Sequence, residues 1–241
     1  MTEKRKTAVI SELFPNFAEE LEKMGFDILK VQSYKNNILN AESFHADMQI
    51  FVISDKTIVL LKNNINFNNS IKKIIGNKIN YIYTKDEITD FRYPFCVKLN
   101  IALVGKYAIG NFKYADTVVT ETLLNYGFNL INVKQGYAKC SSAIVGDNAI
   151  ITSDLSIAKA VSGKLDCLKI SEGQIKLCDK YGGFIGGSSF MLNENTLAFM
   201  GDITAHTDYE NIKSFCKNHN IEIIYIKNTP LTDVGGVILL P

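Results

Sequence analysis

At 241 residues the chain is long enough for one large domain or two small ones, and its hydrophobic content of 46% is ordinary for a folded protein. The 26 Lys and Arg residues against 25 Asp and Glu residues give a formal charge of +1, and the basic residues are scattered along the chain. We therefore expect neither a nucleic-acid partner nor an anionic membrane partner, because both require a concentrated basic surface.

The N-terminal stretch MTEKRKTAVISELF mixes both charge signs and lacks the long apolar segment of a signal peptide. Apolar runs such as GGVILLP are too short to span a bilayer. We therefore expect a cytoplasmic protein.

The cysteines form an odd set of five and include no C-x-x-C pair. This pattern argues against a disulfide framework and against a zinc site, so we expect free thiols and neither a metal nor another cofactor. The five are Cys96, Cys140, Cys167, Cys178 and Cys216.

The first predicted elements set a pattern that recurs along the chain. A strand, TAVIS (residues 7–11), precedes the amphipathic helix PNFAEELEKMG, in which Phe17 and Leu21 lie on one face. The strand FDILKV follows, and after it comes an apolar hairpin.

Four further copies of this helix, strand and hairpin unit follow the first. Their helices are FNNSIKKIIG, ADTVVTETLLNYG, SIAKAVSG and DYENIKSFCKNH, and their strands are INYIY, FNLINV, LDCLKI and IEIIYI. Their hairpins are CVKLNIALVGKYAIGN, KCSSAIVGDNAIITSD, GGFIGGSSFMLNENTLAFMG and TDVGGVILLP. The last hairpin lacks its second strand, because the chain stops there.

The N-terminal strand TAVIS can supply the missing strand, since it has no other predicted partner. Pairing the two ends closes the five units into a ring and removes the exposed sheet edges of an open array. We therefore predict one α/β domain over residues 1–241, built from five αβ repeats. The alternative is an open doubly wound sheet, which would not need a hairpin after every helix and strand.

Five αβ units closed by joining the termini resemble the pentein fold, the five-bladed pseudo-symmetric β/α propeller of guanidine-modifying enzymes. These enzymes include arginine deiminases, dimethylarginine hydrolases, agmatine deiminases and amidinotransferases. The resemblance spans the whole chain and rests on the repeats and a few short motifs. It implies that the residues before each hairpin meet at one end of a central channel.

Aligning the hairpins identifies the residues that would meet there. Asp47 falls in register with Lys139, Gly186 and Asp233, and Cys140 lies one step further in. The resemblance therefore implies a pocket that contains carboxylates and a thiol.

Guanidine chemistry requires such groups, since carboxylates bind the N–H groups, a thiolate attacks the carbon, and an acid/base protonates the departing amine. The stretch HADMQIF looks like the His-x-Asp strand of the guanidine-modifying enzymes. The resemblance implies that His45 is the acid/base, that Asp47 is a guanidinium clamp and that Asp233 is the second clamp. The glycine-rich stretches around Gly186 and Gly235 resemble segments whose backbone approaches the ligand. The expected partner is a small cationic guanidino compound.

The nucleophile is where the chain departs from the pattern, because its C-terminal DVGGVILLP lacks the cysteine that the hydrolases carry there. Either Cys140 or Cys96, which lies close to the same level, takes the role, or the chemistry is lost. We predict Cys140 as the nucleophile and the most reactive thiol. Lys139 would lower the pKa of this thiol by its charge, although adjacent strand residues point to opposite faces.

A second His-x-Asp motif, at His206 and Asp208, directly precedes a predicted helix. Its position is typical of a helix N-terminal cap. We therefore assign it a structural role.

Three functions are consistent with the sequence. The first is a cysteine-dependent hydrolase or transferase that acts on a small guanidino or amidino compound. The second is a non-catalytic, macromolecule-binding pentein like the archaeal ribosome anti-association initiation factor, against which the near-neutral charge argues. The third is a small-molecule sensor that keeps the carboxylates without turnover. Two inward carboxylates with a histidine and a thiol would favour the first, carboxylates alone the third, and a plugged channel the second.

Overall fold

A computed structural model of the chain describes residues 5–34, 41–90, 92–178 and 181–241. The described residues form five α-helices and seventeen short strands. In chain order they are β1 (Thr7–Ser11), α1 (Pro15–Lys23), β2 (Asp27–Val31), β3 (Ile50–Ser54), β4 (Thr57–Leu60), α2 (Ile65–Ile75), β5 (Asn80–Tyr83), β6 (Ala102–Val104), β7 (Tyr107–Gly110), α3 (Thr117–Asn125), β8 (Asn129–Asn132), β9 (Ala143–Val145), β10 (Ala149–Thr152), α4 (Leu155–Val161), β11 (Asp166–Lys169), β12 (Lys176–Cys178), β13 (Tyr181–Gly182), β14 (Ser189–Asn193), β15 (Thr196–Phe199), α5 (Tyr209–Asn218), β16 (Glu222–Tyr225) and β17 (Ile238–Leu239).

Local sequence signals mark the starts of four helices. Pro15 lies in the first turn of α1, where its missing N–H costs nothing. The side chains of Asn64, Asp116 and Asp154 accept hydrogen bonds from backbone N–H groups at the starts of α2, α3 and α4. These local signals therefore fix where four of the helices begin.

Five three-stranded sheets share one topology. The strand orders are β17-β1-β2, β3-β4-β5, β6-β7-β8, β9-β10-β11 and β14-β15-β16. In each sheet the middle strand pairs antiparallel with one neighbour and parallel with the strand that follows the helix. A helical crossover is the usual connection between parallel strands, so the predicted order of helix and strand explains the parallel pairing.

The first sheet joins the two ends of the chain. Ala8 pairs with Leu239 and Val9 with Ile238, in antiparallel register. The predicted pairing of the N-terminal and C-terminal strands is therefore confirmed.

Two local features differ from the sequence expectation. The residues Ala46–Met48 form a short 3-10 helix, and β3 begins only at Ile50, so His45 and Asp47 lie in a turn before the strand and not within it. A small two-stranded antiparallel sheet of β12 and β13 was also not predicted by the repeat pattern.

The apolar core consists mainly of clusters that each join two neighbouring sheets. One residue from each of the two joined sheets illustrates each cluster: Val9 with Ile58, Val59 with Ala108, Ile109 with Ile150, Ile151 with Leu197, and Ala198 with Ala8. Each three-stranded sheet thus packs against two others. A further, smaller cluster contains Met48, Cys96 and Val97.

Within the described part of the chain, no helix has both the length and the apolar character that crossing a membrane requires.

Candidate functional site

The segments that precede the first hairpin strands of the five sheets are hydrogen-bonded to one another. The N–H of Asp47 donates to the carbonyl of Gly235 at 3.1 Å, and the N–H of Gly187 donates to the carbonyl of Cys140 at 2.9 Å. The N–H of Lys139 donates to Oδ1 of Asn100 at 2.8 Å. These contacts involve the segments that precede the first hairpin strands of all five sheets.

Asp47 and Cys140 form the centre of this site. The Cys140 thiol donates to Oδ2 of Asp47 at a distance of 2.9 Å. Each residue is only 2% exposed. The pair is therefore a thiol and a carboxyl group in direct contact and away from solvent.

Asn100, which was not among the residues predicted from the sequence, holds the thiol in position from the other side. Its amide donates to Sγ of Cys140 at 3.1 Å, while its Oδ1 accepts from the backbone N–H groups of Lys139 and Cys140. Both polar atoms of the side chain are thus used to fix the Cys140 turn. Asn100 lies directly before the apolar run of the second hairpin, and this position could have identified it as a site residue.

His45 completes a group of three side chains. One possible ligand atom from each of His45, Asp47 and Cys140 lies within 4.8 Å of the others, and all three residues are buried. Among the described residues, Nε2 of His45 and Oδ1 of Asp47 have no hydrogen-bond partner. Buried polar atoms normally have partners, so these two atoms are available to a bound molecule.

The same three residues have donor atoms that a zinc ion accepts, namely an imidazole nitrogen, a carboxylate oxygen and a thiolate. The absence of a C-x-x-C pair from the sequence does not bear on this group, whose members come from distant parts of the chain.

The backbone at Gly235 lies directly against the His45 ring. A Cβ atom at this position would be 2.2 Å from Cγ of His45, and Gly235 has a φ angle of +77°. Both observations require glycine, because a side chain would collide with the ring and L-residues rarely adopt this φ value. Gly235 thus positions the imidazole.

Asp233 is also buried, but both of its oxygens have partners within the protein. Oδ1 accepts from the N–H of Gly235 and Oδ2 from the N–H of Phe184, each at 2.9 Å. A Cβ atom at Gly187 would lie 2.0 Å from Oδ1 of Asp233. Asp233 therefore fixes the loops around the site and also contributes negative charge to it.

Gly186 approaches a neighbouring part of the backbone. A Cβ atom there would be 2.2 Å from the carbonyl oxygen of Lys139 and 2.3 Å from that of Ser142. The glycine allows the segment before β14 to pack closely on the Cys140 turn.

The environment of the site raises the pKa of both Asp47 and Cys140, so each group holds its proton more tightly than usual. Burial is the main cause that raises the pKa of Asp47, and the nearby His45 and Lys139 oppose this effect. Burial, followed by the charges of Asp47 and Asp233, raises the pKa of Cys140 well above its ordinary value.

The expectation that Lys139 lowers the pKa of the thiol is therefore wrong for the structure as it stands. The ammonium of Lys139 donates to the carbonyl of Gly186 at 3.1 Å. Burial and the two carboxylates determine the direction of the Cys140 shift.

The structure does not place Cys96 in the group of His45, Asp47 and Cys140. It lies in the small cluster with Met48 and Val97, and its Sγ is 3.8 Å from the Tyr137 hydroxyl. Burial raises the pKa of this thiol as well. The geometry thus favours Cys140 over Cys96 as the functional thiol.

The second His-x-Asp motif has a structural role, but not the predicted hydrogen bond. Asp208 occupies the position before α5 without a capping hydrogen bond from its side chain. Its Oδ2 instead accepts from the N–H of Ser171 at 2.7 Å, and its own N–H donates to Nδ1 of His206. The motif therefore joins α5 to the loop after β11.

A cavity of about 230 Å³ reaches Asp47 and Lys139 from the side of the hairpins. Ile, Leu, Val and Phe side chains line its walls, and they belong to β3, β6, β9, β17 and the residues directly before β6. The site thus adjoins a channel that is apolar except at its charged end.

Comparisons with known proteins place this geometry in context. The model of a family described as a family of unknown function (DUF6873) matches residues 9–238. No curated protein sequence matches the chain.

Solved structures of several enzymes have a similar fold. An amidinotransferase of the saxitoxin biosynthetic pathway from Microseira wollei is 10% identical, with a TM-score of 0.58 over 99% of this chain and 95% of that chain. The inosamine-phosphate amidinotransferase from Streptomyces griseus is 9% identical, with a TM-score of 0.58 over 95% of this chain and 79% of its own. The agmatine deiminase of C. jejuni is 12% identical, with a TM-score of 0.52 over 98% of this chain and 93% of that chain. At these identities the likeness shows the fold, and it confirms the resemblance that the repeats predicted.

Proposed function

Because the chain belongs to the DUF6873 family and is a distant member of the pentein superfamily, we propose that it is a cysteine-dependent hydrolase or transferase of a small guanidino or amidino compound. The observation that carries the proposal is the buried group of His45, Asp47 and Cys140, with its unpartnered nitrogen and oxygen. A thiol, an acid/base and a carboxylate are the groups that this chemistry needs.

The proposal includes the architecture of a five-bladed propeller. In this arrangement each three-stranded sheet is one blade, and the pairing of β1 with β17 closes the first blade. The apolar clusters support it, since they join the sheets in a cyclic order that returns from β14-β15-β16 to β17-β1-β2. Such a ring places the strand entrances around a common axis.

The first half of the proposed reaction forms a bond to sulfur. The Cys140 proton passes to Oδ2 of Asp47, with which it already makes a hydrogen bond, and the thiolate attacks the guanidinium carbon. The bond from this carbon to the departing amine then breaks, and protonated His45 gives its proton to that amine nitrogen. The products are the free amine and an amidino group bonded to Cys140.

The second half removes the amidino group. Water in a hydrolase, or an amine in a transferase, attacks the amidino carbon and gives a proton to His45. The C–S bond breaks, and the proton on Asp47 returns to the sulfur. In the transferase the product is again a guanidinium, whereas in the hydrolase the urea-type product gives the proton of the former guanidinium to bulk water. The three protein groups then have their initial protonation state, so one turnover requires no oxidant, reductant or further cofactor.

Binding of the substrate adds a positive charge beside Asp47 and Cys140. In the ligand-free protein the carboxylates of Asp47 and Asp233 help to raise the pKa of Cys140. A guanidinium bound beside Asp47 opposes this effect, because an adjacent positive charge favours the thiolate. The thiol is thus activated only when its target is present, and Asp233 acts mainly through its charge.

The alternative is a sensor that binds the same class of compound without turnover. The buried thiol with its raised pKa favours this function, since a thiol of this kind is unreactive in the resting protein. The described site contains a thiol and a histidine as well as carboxylates, which favours the enzyme. A macromolecule-binding factor has less support, because it needs none of these groups.

A single experiment separates the enzyme from the sensor. The protein is incubated with guanidino and amidino compounds, and mass spectrometry follows both amine release and an amidino adduct on Cys140. Cys140→Ser abolishes both signals if the proposal is right, whereas Cys167→Ser, in a strand outside the site, preserves them. Binding without adduct or release would identify a sensor. Loss of the signals in Cys96→Ser alone would move the nucleophile to that residue.

A further inference from the structure

The cavity beside the site has a polar end and an apolar body. Asp47 and Lys139 are its charged lining residues, and the other lining side chains are hydrocarbon. The carboxyl group of Asp47 also contacts the Cys140 thiol, so the polar end of the cavity adjoins the proposed reaction site through Asp47.

The lining residues near the strand starts are buried, and those further along the strands are half-exposed. Ile50 and Ile101, near the strand starts, are 1% and 2% exposed. Val52 and Leu103, two residues further along each chain segment, are half-buried, as is Ile144. Alternate residues of a strand point to the same face, which explains why these pairs line one wall. The cavity therefore opens toward the hairpin turns.

This lining is a poor environment for the charged end of an amino acid. Among the described lining residues, Lys139 is the one cation, and its ammonium already donates to the carbonyl of Gly186 at the same end as Asp47. A carboxylate or ammonium located beside Ile50, Leu99 and Ile101, which form the buried part of the walls, would lie against hydrocarbon without a partner. Burial of an unpaired charge among hydrocarbon side chains costs much more free energy than burial of an alkyl group yields.

We infer that the guanidino or amidino group of the ligand carries a hydrocarbon substituent, alkyl or aryl, which occupies this channel. The inference rests on the proposed function for the location of the cationic group at Asp47, and it adds the chemical class of the rest of the molecule. The volume of about 230 Å³ lies just below the range of pockets for drug-sized ligands, so the substituent is small.

A series of alkylguanidines tests the inference by calorimetric titration of the full-length protein. Methyl-, propyl-, butyl- and hexylguanidine should bind with affinities that rise about fourfold per methylene until the channel is full. Agmatine and arginine, which have a charged distal end, should bind at least tenfold more weakly than butylguanidine. An affinity that does not depend on chain length, or a preference for arginine, would overturn the inference.

Two wall variants provide an independent readout. Leu103→Asn should reduce the gain per methylene, since it places an amide in the wall, and Leu124→Asn on the exposed face of α3 is the matched control that should leave the gain unchanged. Ile144→Phe should stop the rise at a shorter chain, which keeps the test decisive if the asparagine variant does not fold. If both variants fold and retain the wild-type series, the channel does not hold the substituent.

The outcomes also separate this inference from the proposed function. Methylguanidine has almost no substituent, so its binding and its adduct on Cys140 report only on the reaction site. If the adduct forms but the binding affinity does not depend on chain length, the inference is refuted and the proposed enzyme function still stands. Absence of binding by every cation in the series refutes both.

Discussion

The Cys140 thiol donates a hydrogen bond of 2.9 Å to the carboxyl group of Asp47, although 93 positions separate the two residues in the sequence. Each group changes the ionisation of the other, because both are almost fully buried and a charge on either one is poorly screened. Substitution of either residue is therefore the most direct test of the proposed site.

Replacement of Asp47 by Asn should lower the pKa of Cys140. The substitution removes a negative charge and a hydrogen-bond acceptor, both of which raise that pKa in the native protein. A pH titration of the ultraviolet absorbance of the thiolate, with Cys140→Ser subtracted as the blank, measures the shift. The same titration midpoint in the wild type and Asp47→Asn would show that the carboxyl group does not control the thiol.

The same variant should be more stable than the wild type at neutral pH, by about 1 kcal/mol. Burial raises the pKa of Asp47, so the folded state holds this proton more tightly than the unfolded state. Stability of the wild type is therefore lost as the pH rises from about 4 through the folded pKa, and Asn cannot lose a proton in this way.

Urea unfolding at neutral pH and near pH 4 measures this effect. The difference between Asp47→Asn and the wild type should shrink on acidification. A difference that grows as the pH falls would show that the carboxylate is stabilised in the folded state, and would contradict the assigned direction of the pKa shift.

Gly235→Ala should destabilise the protein by about 1–3 kcal/mol more than Gly127→Ala does, because the added Cβ overpacks the site. Both glycines have a positive φ angle, of +77° and +81°, so both variants carry the backbone strain. At Gly235 the new Cβ would be 2.2 Å from the His45 ring, whereas at Gly127 it would have no neighbour within 4 Å. Denaturant unfolding measures both, and equal losses would mean that the His45 ring moves aside at no cost.

Removal of residues 237–241 should lower the melting temperature by roughly 10 °C. The truncation deletes β17, the antiparallel partner of β1, together with the buried side chains of Val237 and Leu240. Deletion of the exposed Pro241 alone is the control and should have little effect. An unchanged melting temperature after the longer truncation would show that the terminal pairing does not support the fold.

Brief iodoacetamide treatment of the ligand-free protein near neutral pH should label Cys167 before Cys140. The sequence predicted the opposite order, but the structure buries Cys96, Cys140 and Cys216 and leaves Cys167 partly exposed. Burial and two carboxylates also hold the pKa of Cys140 well above its usual value, and the thiolate is the reactive form. Peptide mapping by mass spectrometry determines the order, and early labelling of Cys140 would restore the sequence prediction.

The repeating elements and the pairing of the chain ends follow from the sequence because local patterns determine them. Alternation of apolar residues predicts the strands, helical spacing predicts the helices, and a strand without a partner at each end predicts that the two ends pair. The pattern misses the antiparallel pairing of β12 with β13, because these strands are too short to show a period. It also gives no sign of the short 3-10 helix at Ala46–Met48, and the strand that the family resemblance implies for HADMQIF begins only at Ile50.

The sequence by itself determined which residues stand at the strand entrances, and it thereby identified His45, Asp47, Cys140 and Asp233 as neighbours. Only the tertiary structure decided how they interact, with Asn100 on the thiol and Asp233 occupied by the N–H groups of its loops. The physical reason is that register along a strand is a local property of the chain. The pKa of a thiol, by contrast, depends on burial and on charges within a few ångströms, and these come from segments that only the folded chain brings together.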